Sequence, residues 1–410
     1  MKYVIIGSAI DGNKGAASML EAAVQSLSKK DNQAEFTLLS MYPDSDLSLN
    51  YHKNLKIISA KPLRLGLVIN PLTLLYRLLP PLRPLIRRND AVKSIAEADV
   101  YLDQGGITFV DGREVFLIYN IASVLPAILV KTPVVKCAQA MGPFKSKINR
   151  FFAKLFLPKM SHIMARGAKT HEFTQNIGLK NVTPVADYAF SMNIEKPQAR
   201  SAKKIFEKYD DKKQRLRIGV FPSEVLRKKA EKKGESYEKH MAQLIDGALE
   251  RHKGAIVYVI PHSQRKNADK RHNNDVPVCN DIYDLVNQTD RVRYVTEPLN
   301  PQQLRHLISY MDVALVARFH AMVSALSVEV PVLVTGWSHK YQEVLDMFEL
   351  NDCAYEGAAV DTSALLDSLD GIIEQKVEIK KKIAKNLPSV KKSSAQHVAI
   401  IQKAAKSSQA

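Results

Sequence analysis

A chain of 410 residues with 46% hydrophobic and 25% charged residues has an ordinary globular composition and exceeds a single core, so two domains are expected. Its net charge of +17 is concentrated: residues 200–233 hold thirteen Lys/Arg against five Asp/Glu, and residues 376–410 hold nine against one. No aromatic residues alternate with the basic ones of the tail, as stacking on bases would need, so a basic surface is expected rather than nucleic-acid binding, with attraction to anionic lipid heads as the other reading.

Residues 2–7 read as a strand running straight from Met1, with no leader-like apolar run and no cleavage site. No apolar stretch is long enough to span a bilayer, and Cys137, Cys279 and Cys353 lie far apart and form no metal-type pair, so a cytoplasmic protein is expected. Gly7, Gly12 and Gly15 punctuate the turn into a helix that begins at Ala16. Such a turn brings backbone N–H groups to an oxyanion or merely closes a βα unit; its spacing matches neither Gly-x-Gly-x-x-Gly nor a Walker loop. Residues 34–40 form a second strand. Residues 61–88 mix Leu, Pro and Arg. Their prolines forbid one long helix, and the insertion lies either on a membrane face or against its own domain.

Residues 99–103 are a strand ending at Asp103, with Gly105 and Gly106 on its rim. A helix over 114–130, interrupted by Pro126, leads to a strand at 132–137. Gln139 and the Gly142-Pro143 turn follow it. A strand at 161–166 ends in Arg166, a helix covers 169–177, and Asp187 follows strand 181–185. This alternation predicts a doubly wound parallel domain over 1–195. Residues 195–214 read as a charged linker. The pattern then restarts over 215–375 with strands at 216–221, 255–260, 291–295, 311–317 and 331–334. Ser223 follows the first of these and His262 the second. A basic helical tail over 376–410 completes the chain, in a last helix broken near Pro388.

The chemistry concentrates after strand 311–317, where Arg318, Phe319 and His320 lead into a small-residue helix from Ala321. Ligands of open α/β sheets bind at the carboxyl ends of strands, beside helix N-termini. Arg318 offers a planar fork for carboxylate or phosphate, and His320 moves a proton near neutrality. Lys340 can add a point charge. No metal-ligand spacing occurs, so neither metal nor other cofactor is expected.

In order along residues 2–375, these rim motifs resemble the polysaccharide pyruvyl transferases. The resemblance rests on Asn13-Lys14-Gly15-Ala16-Ala17, Asp103 with Gly105-Gly106, Gln139 to Pro143, and Arg166. It continues with Asp187 and Phe190, Arg318-Phe319-His320, and Trp337-Ser338-His339-Lys340. It implies two Rossmann-like domains facing a cleft, as in the glycosyltransferase-B type. It also implies transfer of pyruvate from phosphoenolpyruvate to two hydroxyls of a sugar, free or lipid-linked, as a ketal. Arg318 and His320 would then be catalytic; with Phe319, Lys340, Ser223 and His262 they would hold the donor. Asn13, Asp103, Gly105, Gly106, Gln139, Arg166 and Asp187 would hold the acceptor. For location, residues 61–88 and the basic stretches leave two readings, cytoplasmic or peripheral at the inner face of the membrane. His320 remains open as acid, base or stabiliser of departing phosphate. Where several relatives carry an arginine after the first strand of the second domain, this chain has Phe221-Pro222-Ser223, with Arg227 beyond. A nucleotide-sugar glycosyltransferase and a non-catalytic glycan- or anion-binding protein are the competing readings.

Overall fold

Two parallel sheets organise the chain. The computed structural model describes all residues except 211–212, 214, 266–273, 337–338, 356–360 and 407–410. Trp337 and Ser338 of the expected motif, and the side chain of His339, lie outside the described residues. The first compact unit comprises Met1–Asp11, Ala16–Met192 and Lys391–Ala410; the second comprises Gly12–Gly15 and Asn193–Val390.

In chain order the strands up to Met192 are β1 (Lys2–Ile6), β2 (Gly12–Asn13), β3 (Glu35–Ser40), β4 (Leu55–Ser59), β5 (Val100–Asp103), β6 (Ile107–Val110), β7 (Val134–Gly142), β8 (His162–Arg166) and β9 (Val182–Val185). The sheet of the first unit runs β4-β3-β1-β5-β7-β8-β9, with β6 beside β7. Helices cover both faces, so central strands read as unbroken apolar runs: β5 and β7 are buried throughout. Strand order reverses between β1 and β5, which leaves a crevice at their carboxyl ends.

The second unit adds β10 (Leu216–Phe221), β11 (Ala255–Val259), β12 (Ser263–Gln264), β13 (Val292–Tyr294), β14 (Val313–Val316) and β15 (Val332–Val334). Its parallel order is β13-β11-β10-β14-β15, with the reversal between β10 and β14. A two-residue antiparallel ribbon joins β2 to β12, with Asn13 opposite Ser263.

Several elements differ from expectation for identifiable reasons. Residues 195–214 are no simple linker: Lys196–Phe206 is a helix of the second unit. It is held by Phe206, which stacks on Tyr310 at 4.3 Å. Helix Leu117–Val130 continues through Pro126. The carbonyl that this proline leaves without an intrahelical donor is that of Ala122, and the Asn70 amide donates to it at 3.1 Å. The C-terminal helix Lys376–Lys406 likewise passes Pro388 unbroken. Buried Ile379, Ile383, Leu387 and Val390 anchor that stretch, and from Lys391 onward the helix belongs to the first unit. Residues 61–88 form five short helical segments, four with a proline in the first turn, where its missing N–H costs nothing.

Candidate functional site

The reversal of the second sheet gathers one set of groups. Helix Phe319–Ser327 starts two residues earlier than expected, so Arg318 is its N-cap and His320 lies in its first turn. Arg318 turns onto Asp275: Nε donates to Oδ1 at 3.1 Å and to Oδ2 at 3.0 Å, and a terminal guanidinium nitrogen donates to Oδ1 as well. Burial pulls the Arg318 pKa down, but the charge and hydrogen bonds of Asp275 outweigh it and leave it raised. Asp275 is fully buried. It also accepts the backbone N–H of Glu224 at 3.0 Å and of Ser263 at 2.9 Å. One carboxylate therefore fixes the loops after three adjacent strands, β10, β11 and β14.

Sequence reasoning missed Asp275. Its signal was an Asp at the N-cap of the Pro-started helix Val276–Leu285, and its side chain makes no capping bond there. Instead the carboxylate points into the rim.

His320 packs on Gly15. A Cβ at residue 15 would lie 2.1 Å from His320 Nδ1, so only glycine admits the ring here. The Asn13 side chain accepts the Gly15 N–H at 3.0 Å, which holds the turn. The ribbon between β2 and β12 sets Asn13 opposite Ser263, the residue that follows His262. The structure thus groups Asn13 with His262 and His320, not with Asp103 as the resemblance implied. His262 is 2% exposed, and its Nε2 has no hydrogen-bond partner among the described residues. Burial, then the charges of His320, Arg318 and Lys14, hold its pKa well below the ordinary histidine value. A neutral imidazole in a positive field is the result. Lys14, buried at the start of helix Lys14–Ser28, was not among the expected site residues.

Ser223 is buried and caps helix Glu224–Glu231 by accepting the Val225 N–H at 3.3 Å. Arg227 is committed elsewhere, to Glu224 at 2.7 Å and to Asp281. Lys340 Nζ lies over the Phe319 ring, 5.4 Å from its centroid, and over Tyr341 at 5.2 Å. Among the described residues no group of three His, Cys, Asp or Glu is placed to hold a metal ion.

The first sheet's reversal gathers a different set. Asp103 ends β5, pairs with buried Lys136 and accepts the Gly105 N–H at 2.9 Å. Gln139 donates to the Asp103 carbonyl at 2.8 Å and accepts from the Thr108 hydroxyl at 2.6 Å. Gly7, with φ +77°, passes so close that a Cβ would lie 2.5 Å from the Gly105 nitrogen. Arg166 pairs with Asp187 at 3.0 Å, and Asp187 also accepts the Ala189 N–H at 2.9 Å. Asp103, Gln139, Arg166 and Asp187 are all buried. They build the rim, and half-buried Gly105 and Gly106 form its open edge. Lys136, missed in the sequence, was signalled by a lone cation inside the apolar run of β7. After burial, the Asp103 charge is the leading influence that raises the pKa of Tyr101, Tyr119 and Cys137.

The family model for polysaccharide pyruvyl transferase matches residues 13–339. The amylovoran biosynthesis protein AmsJ of Erwinia amylovora is 21% identical over 405 residues, which are 94% of this chain and 95% of that one. Among solved structures, the S. aureus MnaA–UDP co-structure superposes with a TM-score of 0.62 at 12% identity, covering 97% of this chain and 95% of that one. The UDP-GlcNAc 2-epimerase of Methanocaldococcus jannaschii, in complex with UDP-GlcNAc and UDP, gives 0.56 at 14% identity, with 91% and 93% covered. A glycosyltransferase from Rickettsia africae gives 0.56 at 11%, with 98% of each chain covered. These likenesses establish a fold similar to the glycosyltransferase-B type.

Proposed function

The chain belongs to the polysaccharide pyruvyl transferase family and is a transferase, and from that premise we propose that it moves pyruvate from phosphoenolpyruvate onto two hydroxyls of a sugar. The acceptor would be a unit of an exopolysaccharide or of its lipid-linked precursor, and the product a ketal. The relative AmsJ is named for the biosynthesis of amylovoran, which suits this reading. The observation that carries it is the positive field around a buried, neutral His262 at the second sheet's reversal, beside Arg318, His320 and Lys14. A donor bearing both a carboxylate and a phosphate needs several nitrogen donors in one place.

In this reading the Arg318 fork, held by Asp275, takes the carboxylate or phosphate, with His262, Lys14 and Lys340 supplying further donors. One sugar hydroxyl adds to C2 as a proton reaches the methylene carbon, which becomes the methyl group. Phosphate leaves, and the second hydroxyl adds to the same carbon and gives up its proton. His320 is the group placed to move a proton or to meet the departing phosphate. Asp103, Asp187 and Gln139 shape the loops that receive the sugar. No metal or cofactor enters this reading.

Phosphate release from phosphoenolpyruvate in the presence of acceptor saccharides tests it. Wild type should release phosphate only with an acceptor, and His320→Ala should be slower by roughly 10²–10⁴-fold. Turnover of a nucleotide sugar without phosphate release would replace the reading with glycosyl transfer. A His320→Ala protein that retains every function would point to a binding protein.

A further inference from the structure

The first unit carries a large apolar surface that its own core does not cover. In residues 61–88, Leu65, Ile69, Thr73 and Tyr76 face inward at helical spacing. The other side leaves Leu63, Leu67 (73% exposed) and Leu78 in the open. Two further segments do the same: the start of helix Leu117–Val130, with Ile118 80% exposed, and helix Lys147–Phe156, with Phe151 63% exposed. The first two are tied to each other, and the third is anchored on the end of β6, the strand that leads into the second. Asn70 donates to the Ala122 carbonyl at 3.1 Å, and Asn149 donates to Phe109 at 2.9 Å and to Asp111 at 2.7 Å. Helix Asn70–Leu78 packs along helix Leu117–Val130. Soluble monomers rarely expose contiguous apolar patches of this kind without a partner.

Charge identifies the partner. Residues 61–88 hold six Lys/Arg and residues 145–159 hold five, and neither segment contains an Asp or Glu. Arg77, Arg88, Lys147, Arg150 and Lys154 are exposed among the leucines and phenylalanines. A second copy docking by two-fold symmetry would set cation against cation. An anionic lipid surface instead takes apolar side chains at the acyl boundary and Lys/Arg at the phosphates. No helix among the described residues is long and apolar enough to cross a membrane, so the contact is interfacial.

Topology gives this face a direction. The three segments follow the carboxyl ends of β4, β6 and β7, strands that run parallel to β5 through continuous pairings. They therefore rise from the same rim of the first sheet as Asp103, Gly105 and Gly106.

We propose that this face docks on an anionic phospholipid bilayer and holds the rim of the first unit against it, where an acceptor carried on a lipid would be met. The docking itself stands apart from the identity of the donor, because its test reads no activity. Full-length protein is sedimented with vesicles of phosphatidylcholine alone and with vesicles that include phosphatidylglycerol. The wild type should sediment with the anionic vesicles and be released by salt. Leu67→Glu with Ile118→Glu should weaken binding by more than roughly tenfold. Arg77→Gln with Arg88→Gln should weaken it about fivefold per residue. All four positions are exposed, so circular dichroism should show unchanged melting. Variants that sediment like wild type, or a wild type that ignores anionic vesicles, would overturn the proposal. So would a dimer in light scattering that Leu67→Glu dissolves.

Discussion

The two sheets place different charged groups at equivalent points. At the reversal of the first, the charge of Asp103 raises the pKa of Tyr101, Tyr119 and Cys137 beyond what burial does. At the reversal of the second, the charges of His320, Arg318 and Lys14 all depress His262. The first rim's side chains also answer one another, Lys136 with Asp103 and Arg166 with Asp187. In the second, His262 Nε2 has no hydrogen-bond partner among the described residues. One parallel-sheet plan therefore supplies two chemically distinct ends: a rim whose buried acids and bases pair with one another, and one where Arg318, His320 and Lys14 bear on a buried histidine.

The largest expected effect is catalytic. His320→Ala should lower kcat by roughly 10²–10⁴-fold, or up to about 5 kcal/mol of barrier, while melting changes little. A matching loss of stability would mean that the ring is core. Next come the buried pairs. Asp275→Ala strands the Arg318 charge and two backbone N–H groups, and should cost about 3–5 kcal/mol as well as donor binding. Asp103→Ala should cost a similar amount through Lys136 yet leave donor binding in place. Donor binding lost equally in both variants would erase the distinction between the rims.

Acid should weaken both units. His397, stacked on Tyr188 at 4.0 Å, is pushed by burial to a pKa of about 4. Between the ordinary value of 6.5 and that value the unfolded chain binds the proton and the folded one does not. The stability from this group is thus present above 6.5 and lost as pH falls toward 4, to the extent of about 3 kcal/mol. Melting followed from neutrality into acid should flatten for His397→Gln. His262, also depressed, acts with the same sign in the second unit. The smallest effect is steric: Gly15→Ala forces the His320 ring to move and should cost about 100-fold in kcat/KM, and a fully active Gly15→Ala would place catalysis elsewhere.

Much of this arrangement was legible in the sequence. Apolar runs alternating with amphipathic helices implied two parallel sheets, and Arg318 and His320 at the end of one run marked the second rim. What escaped depended on contacts distant in sequence. The ribbon between β2 and β12 has two residues a side, too short for any periodicity, yet it moves Asn13 from the first set to the second. Asp275, which nothing in its sequence neighbourhood marked as a site residue, is the hub of three loops. Pro126 read as an interruption of the helix because the Asn70 amide that serves the Ala122 carbonyl lies 52 residues away.

The donor is identified by ligand-dependent melting: purified protein with phosphoenolpyruvate, set against UDP- and GDP-sugars, for wild type and Arg318→Ala. A ligand that binds only the folded state raises apparent stability with the logarithm of its occupancy. Stabilisation of wild type by phosphoenolpyruvate alone, absent in Arg318→Ala, is the predicted result. Stabilisation by nucleotide sugars alone would contradict pyruvyl transfer.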